Sequence, residues 1–115
     1  MNNSILIVED DPSIRDMLTF LLESENYQVF QASNGKEALA LLSKSLSPSL
    51  ILLDLMMPIM NGWQFYQSIK MVDQLKSIPI VVMSAYDPEN LQVEAHLQKP
   101  SSVDDILNTV KKFIN

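Results

Sequence analysis

Four aliphatic residues, Leu50 to Leu53, run without a polar interruption and stop at a carboxylate, Asp54. A strand that is apolar on both of its alternating faces is covered on both sides, as in parallel sheets sandwiched between helices. An acid at the carboxyl end of such a strand stands where open α/β sheets place their ligands. Beyond it, Pro58 and then Asn61-Gly62 signal a turn, a helix cap and a flexible point before the next helix.

A second uninterrupted run, Ile5 to Val8, ends in Glu9-Asp10-Asp11 and Pro12. Asp11 suits an N-cap and Pro12 the first helical position. Ile14, Met17, Leu18, Leu21 and Leu22 then recur at helical spacing to about Glu25. Tyr27 to Ala32 alternates apolar and polar residues like a half-exposed strand, and Ser33-Asn34-Gly35 opens a helix that reaches Ser43 and is broken around Pro48. After Gly62 the spacing predicts a helix through Trp63, Phe65, Tyr66, Ile69 and Val72. Ile78 to Met83 is a fourth strand, with Pro79 near its start because proline lacks a ladder donor.

That strand runs into Ser84, residues 87–94 offer at most two short turns of helix, and Ala95 to Lys99 suits a fifth strand. Ser101 or Ser102 then caps a last helix in which Val103, Ile106, Leu107, Val110, Phe113 and Ile114 keep the helical period. Strands alternating with helices give an α/β fold with a doubly wound, five-stranded parallel sheet, because right-handed crossovers lay helices on both faces. All strand C-termini then share one edge, and Glu9, Asp10, Asp54, Ser84 and Lys99 arrive there from four separate segments.

Carboxylates within a few ångströms of one another need positive charge to stay ionised. Lys99 supplies one charge. A divalent cation supplies the rest, and oxygen donors with no His or Cys beside them suit Mg²⁺ or Mn²⁺ better than zinc. Such a cation completes its shell with water and phosphate oxygens, which points to phosphoryl transfer, a chemistry in which an aspartate can serve as nucleophile. With two glycines in the whole chain, Gly35 and Gly62, there is no Gly-rich nucleotide loop, so the phosphoryl donor is another protein's phosphorylated residue or a small phosphodonor.

The net charge of −6 argues against a nucleic-acid surface, which needs a basic stripe. No apolar run is long enough to span a bilayer, and no basic region precedes the first apolar run as in a secretory signal. With no cysteine either, the expectation is one cytoplasmic domain over residues 1–115 without a linker.

These residues resemble the receiver domain of bacterial-type two-component response regulators over nearly the whole chain. The resemblance is carried by Ile-Leu-Ile-Val-Glu-Asp-Asp-Pro at 5–12, Asp-Leu-Met-Met-Pro-Ile-Met-Asn-Gly at 54–62, Val-Met-Ser-Ala at 82–85 and Lys-Pro at 99–100. It implies a flavodoxin-like sheet in the order 2-1-3-4-5. It also implies that Asp54 accepts a phosphoryl group from a histidine kinase or histidine phosphotransfer protein, and that the domain then switches its binding to a downstream target.

By the same resemblance Glu9, Asp10, Asp54 and the Met56 backbone carbonyl hold Mg²⁺, Ser84 hydrogen-bonds the phosphoryl group and Lys99 pairs with it. Such a domain is not an enzyme in the usual sense, though it assists its own phosphorylation and dephosphorylation. The family's first acid is more often Asp than Glu. The aromatic position three residues before the lysine is His96 here, either a ring-shaped switch or, as the simpler expectation, an exposed strand residue. The Ser84 to Lys99 stretch is shorter than the family's by roughly seven residues, about two helical turns, so the fourth helix is expected to be short or missing. That shortening admits an alternative, a receiver-like protein-interaction module that works without phosphorylation. An FMN carrier is disfavoured because Glu9-Asp10-Asp11 would repel its phosphate, and an aspartyl phosphatase because Met56 stands where its second acid belongs.

Overall fold

A computed structural model of the chain describes residues 3–44, 46–55, 60–84, 95–98 and 102–114. In chain order its elements are β1 (Ser4–Val8), α1 (Pro12–Glu23), β2 (Gln28–Ala32), α2 (Gly35–Ser43), β3 (Leu50–Asp54), α3 (Gly62–Lys70), β4 (Ile80–Ser84), β5 (Ala95–Gln98) and α4 (Val103–Phe113). The five strands form one sheet in the order β2-β1-β3-β4-β5, and every neighbouring pair is parallel.

The uninterrupted aliphatic runs became the central strands because a two-sided core needs them there. β1, β3 and β4 are buried along their whole length. On one face Leu6, Val8, Ile51, Leu53, Ile80 and Val82 pack against α2 and α3 through Ala38, Leu42, Phe65 and Ile69. On the other, Ile5, Ile7, Leu50, Leu52, Val81 and Met83 pack against α1 and α4 through Leu18, Leu22, Ile106 and Val110. β2, at one edge of the sheet, exposes Gln28 on one face and Gln31 on the other and only half-buries Val29 and Phe30, so its polar residues do not follow the strict alternation expected from the sequence.

Caps set the helix starts. The Asp11 side chain accepts hydrogen bonds from the Ser13 and Ile14 N–H groups, with Pro12 opening α1; Asn34 caps α2 and Ser102 caps α4. Asn61 and Gln64 form a reciprocal capping box on α3. Two apolar positions depart from expectation. α3 stops at Lys70, so Val72 lies in the turns beyond it, and Val103, at the first position of α4, is 49% exposed. The short helix expected between the fourth and fifth strands falls within residues 85–94, outside the described residues. Among the described residues, no helix is long and apolar enough to cross a membrane.

Candidate functional site

The ladder between β1 and β3 pairs Val8 with Leu53, so the next residues, Glu9 and Asp54, leave the sheet side by side. Both continue the alternation that buries Ile5 and Ile7 in β1 and Leu50 and Leu52 in β3. Glu9 is 3% and Asp54 6% exposed, whereas Asp10 is open to solvent. Carboxylate oxygens of these three residues lie within 4.8 Å of one another. Asp54 pairs with Met83, so the buried Ser84, one step further along β4, ends on the same sheet edge. The two remaining expected members, Lys99 and Met56, lie outside the described residues.

The backbone around the acids is tied down on every side. Glu9 N–H donates to the Ala32 carbonyl at 3.0 Å, which extends the β1–β2 ladder one residue past β1. The Glu9 side chain is long enough to fold back and accept from Asp11 N–H at 3.2 Å. Asp11 itself is committed as the α1 cap, which leaves Asp10 as the outward-facing acid of the three.

Glycine at 62 is required by space rather than flexibility, which corrects the sequence expectation. No glycine has a positive φ, yet a Cβ at Gly62 would lie 2.6 Å from the Asp54 carbonyl oxygen and 2.6 Å from Leu55 Cα. Gly62 N–H donates to the Leu55 carbonyl at 2.9 Å and so closes the connection that starts at Asp54. From the other side, Gly35 N–H donates to the Met60 carbonyl at 3.1 Å, and a Cβ there would meet Met60 Cγ at 2.8 Å. The N-terminus of α2 thus holds the far end of the same connection.

His96 is half-buried on β5, and its Nε2–H donates to the Ser84 carbonyl at 3.2 Å. The simple expectation of an exposed strand residue therefore fails. The ring lies back against the end of β4, on the residue whose hydroxyl belongs to the candidate site.

Two residues went unnoticed in the sequence. Arg15 is half-buried in α1, and its Nη1 donates to the Glu9 carbonyl at 2.9 Å. Glu37, in the first turn of α2, accepts from Ser33 N–H at 2.8 Å. Hydrogen bonds from the Ser33 backbone and hydroxyl outweigh an opposing effect of burial and, with a lesser contribution from Arg15's charge, hold its carboxyl below the ordinary value. The available signal for both was weak, a charge near the start of a helix and beside one of opposite sign, Asp16 for Arg15 and Lys36 for Glu37.

Three close carboxylates repel one another unless a cation joins them, and an all-oxygen set of this kind fits a hard divalent ion such as Mg²⁺. The buried Asp54 leaves the central strand β3 between the acids at the end of β1 and Ser84 at the end of β4.

Comparison with known proteins agrees with this geometry. A family model described as "Response regulator receiver domain" matches residues 5–111. Sporulation initiation phosphotransferase F of Bacillus subtilis is 36% identical over 121 aligned positions, covering 99% of this chain and 95% of the relative. That alignment is longer than the 115-residue chain, so this chain lacks several positions that the relative has. The signal receiver domain of a histidine kinase from Syntrophus aciditrophicus superposes with a TM-score of 0.88 at 30% identity, covering 97% of this chain and 89% of that one. Response regulator TrrA of Thermotoga maritima, solved in complex with Mg²⁺–BeF, gives a TM-score of 0.85 at 30% identity, covering 98% of this chain and 99% of that one. With its sheet order, its cluster of strand-end acids and these matches all in agreement, the chain belongs to the response regulator receiver domain family.

Proposed function

We propose that this chain is a phosphoacceptor signalling domain of a two-component phosphorelay, with Asp54 as the residue that is phosphorylated. The observation that carries the reading is the approach of the Glu9, Asp10 and Asp54 carboxylates to within 4.8 Å at the C-terminal edge of the sheet, with Asp54 on the central strand. The relative named a phosphotransferase and the relative solved with Mg²⁺–BeF support it.

An Asp54 carboxylate oxygen attacks the phosphorus of a phosphohistidine carried by a histidine kinase or histidine phosphotransfer protein. The Asp54 O–P bond forms as the donor's N–P bond breaks, and the departing imidazole nitrogen takes up a proton. Glu9, Asp10, Asp54 and the Met56 carbonyl hold Mg²⁺ (or Mn²⁺), whose charge, when bound, offsets that of the phosphoryl oxygens. Ser84 donates its hydroxyl proton to one phosphoryl oxygen, and Lys99 pairs with another. Burial of Asp54 limits the water that would hydrolyse the acyl phosphate. The phosphorylated domain then changes its binding to a downstream target protein. A surface of net charge −6 gives no support to nucleic-acid binding, and we place the domain, as a single unit over 1–115, in the cytoplasm.

Incubation with Mg²⁺ and a small phosphodonor, followed by intact-mass measurement, tests this reading. One added phosphoryl group is expected with Mg²⁺ and almost none with a chelator. An unmodified wild type would leave the phosphorylation-independent interaction module as the better account.

A further inference from the structure

The β1–α1 connection must hold two acidic side chains at one point, yet a strand-end loop has no ladder to fix its carbonyls. Buried backbone carbonyls are held in place by the donors that reach them. Here the donor is a guanidinium. Arg15 Nη1 lies 2.9 Å from the Glu9 carbonyl oxygen and 3.5 Å from that of Asp10, so one side chain reaches the backbone of both outer acids. Other groups of the loop are held as well: Glu9 N–H by the Ala32 carbonyl and Asp11 N–H by the Glu9 carboxylate.

The reach is set by the helix. Arg15 sits one turn into α1, with its own N–H bonded to the Asp11 carbonyl at 2.9 Å, and long side chains on a helix point back toward its N-terminus. From there the half-buried guanidinium extends under the loop it serves. Both contacts come from the single Nη1 amino group, and the planar guanidinium fixes the direction of its N–H bonds, whereas a lysine ammonium rotates freely on a flexible stem.

We infer that Arg15 is a positioning residue for the metal-binding acids, setting where Glu9 and Asp10 stand by holding their backbone carbonyls. The inference rests on the proposed Mg²⁺ site of the preceding section. It makes a prediction opposite in sign to that of charge alone. A cation beside three carboxylates competes with a divalent ion, so removing it should tighten Mg²⁺ binding if its charge were all that mattered. If its hydrogen bonds position the ligands, removing it weakens binding, as loss of an outer-shell partner does.

Mg²⁺ titration by calorimetry of wild type, Arg15→Ala, Arg15→Gln and Arg15→Lys, with a melting curve for each, decides between them. We expect Mg²⁺ affinity to fall by about tenfold in Arg15→Ala, with a smaller loss in Arg15→Lys, which keeps the charge and a donor but not the fixed N–H direction of the guanidinium. Arg15→Gln, neutral but still able to donate one hydrogen bond, should fall between Arg15→Ala and wild type, and the order should persist among variants that melt alike. Should Arg15→Ala fail to fold, the lysine and glutamine variants still carry the comparison. Equal or tighter binding in the folded variants overturns the role of Arg15 while leaving the metal site standing. A wild type that binds no Mg²⁺ overturns the site and this inference together.

Discussion

A methyl group at position 62 has no room, because the atoms it would meet at 2.6 Å are the carbonyl oxygen of Asp54 and Cα of Leu55, both backbone. Backbone cannot swing aside as a side chain can. Gly62→Ala is therefore expected to destabilise the domain by about 1–3 kcal/mol and to slow phosphorylation of Asp54; urea denaturation and a time course of phosphodonor labelling measure both. Glu37 offers a pH-dependent counterpart. Its folded-state pKa is depressed, so its contribution is full above the ordinary glutamate value of about 4.3 and is lost as pH falls through the lower folded value. Glu37→Gln should accordingly be less stable than wild type at neutral pH, with the gap closing on acidification, as paired denaturation curves would show. Glu9, Asp10, Asp54 and Ser84 were legible in the sequence because each follows a run of strand residues, and strand ends converge in a parallel sheet. Arg15 was not, since a cation in a helix acquires meaning only when the fold places it under a particular loop. His96 was misjudged for a related reason, its bond to the Ser84 carbonyl crossing from one strand to the next.

Helices and strands were read most securely where sequence and core agreed. The runs at Ile5 and Leu50 needed two covered faces, and both became fully buried central strands. Leu52 packs in the layer with α1 and α4, so Leu52→Ala should cost about 2–5 kcal/mol, measured by denaturant unfolding. Cap residues were equally legible: Asp11 fixes the start of α1 and thereby separates Asp10 from the helix. Asp11→Ala is expected to cost about 1 kcal/mol and to weaken Mg²⁺ binding as well, since the cap defines the loop that carries two ligands. Val72 and Val103 mark where periodicity stopped being a guide. Both keep the apolar rhythm of a helix yet are exposed, one beyond the end of α3 and the other at the start of α4. Gly62 shows the other limit, for an Asn-Gly pair signals a turn equally well whether the glycine is wanted for its φ or for its missing Cβ.

At the scale of the whole molecule, a chain of net charge −6 gathers three acids at one sheet edge, which costs stability until a cation arrives. Ligand linkage then predicts that Mg²⁺ at a hundred times its dissociation constant raises stability by about 2.7 kcal/mol. Asp54→Asn, with one charge fewer in the cluster, should be more stable than wild type without metal and should gain less from it, as melting curves with and without chelator would reveal. Ten residues, 85–94, connect β4 to β5, and His96 on β5 bonds back to the end of β4. The acid cluster matches the family's chemistry, and the account stands or falls on which residue carries the phosphoryl group. Borohydride reduction of the phosphorylated protein, which converts an aspartyl phosphate to homoserine, followed by peptide sequencing in a mass spectrometer, locates it. The account predicts homoserine at position 54 in wild type treated with Mg²⁺ and phosphodonor, and no homoserine anywhere in Asp54→Asn. Homoserine at another aspartate of the wild type, or undiminished labelling of Asp54→Asn, would contradict it.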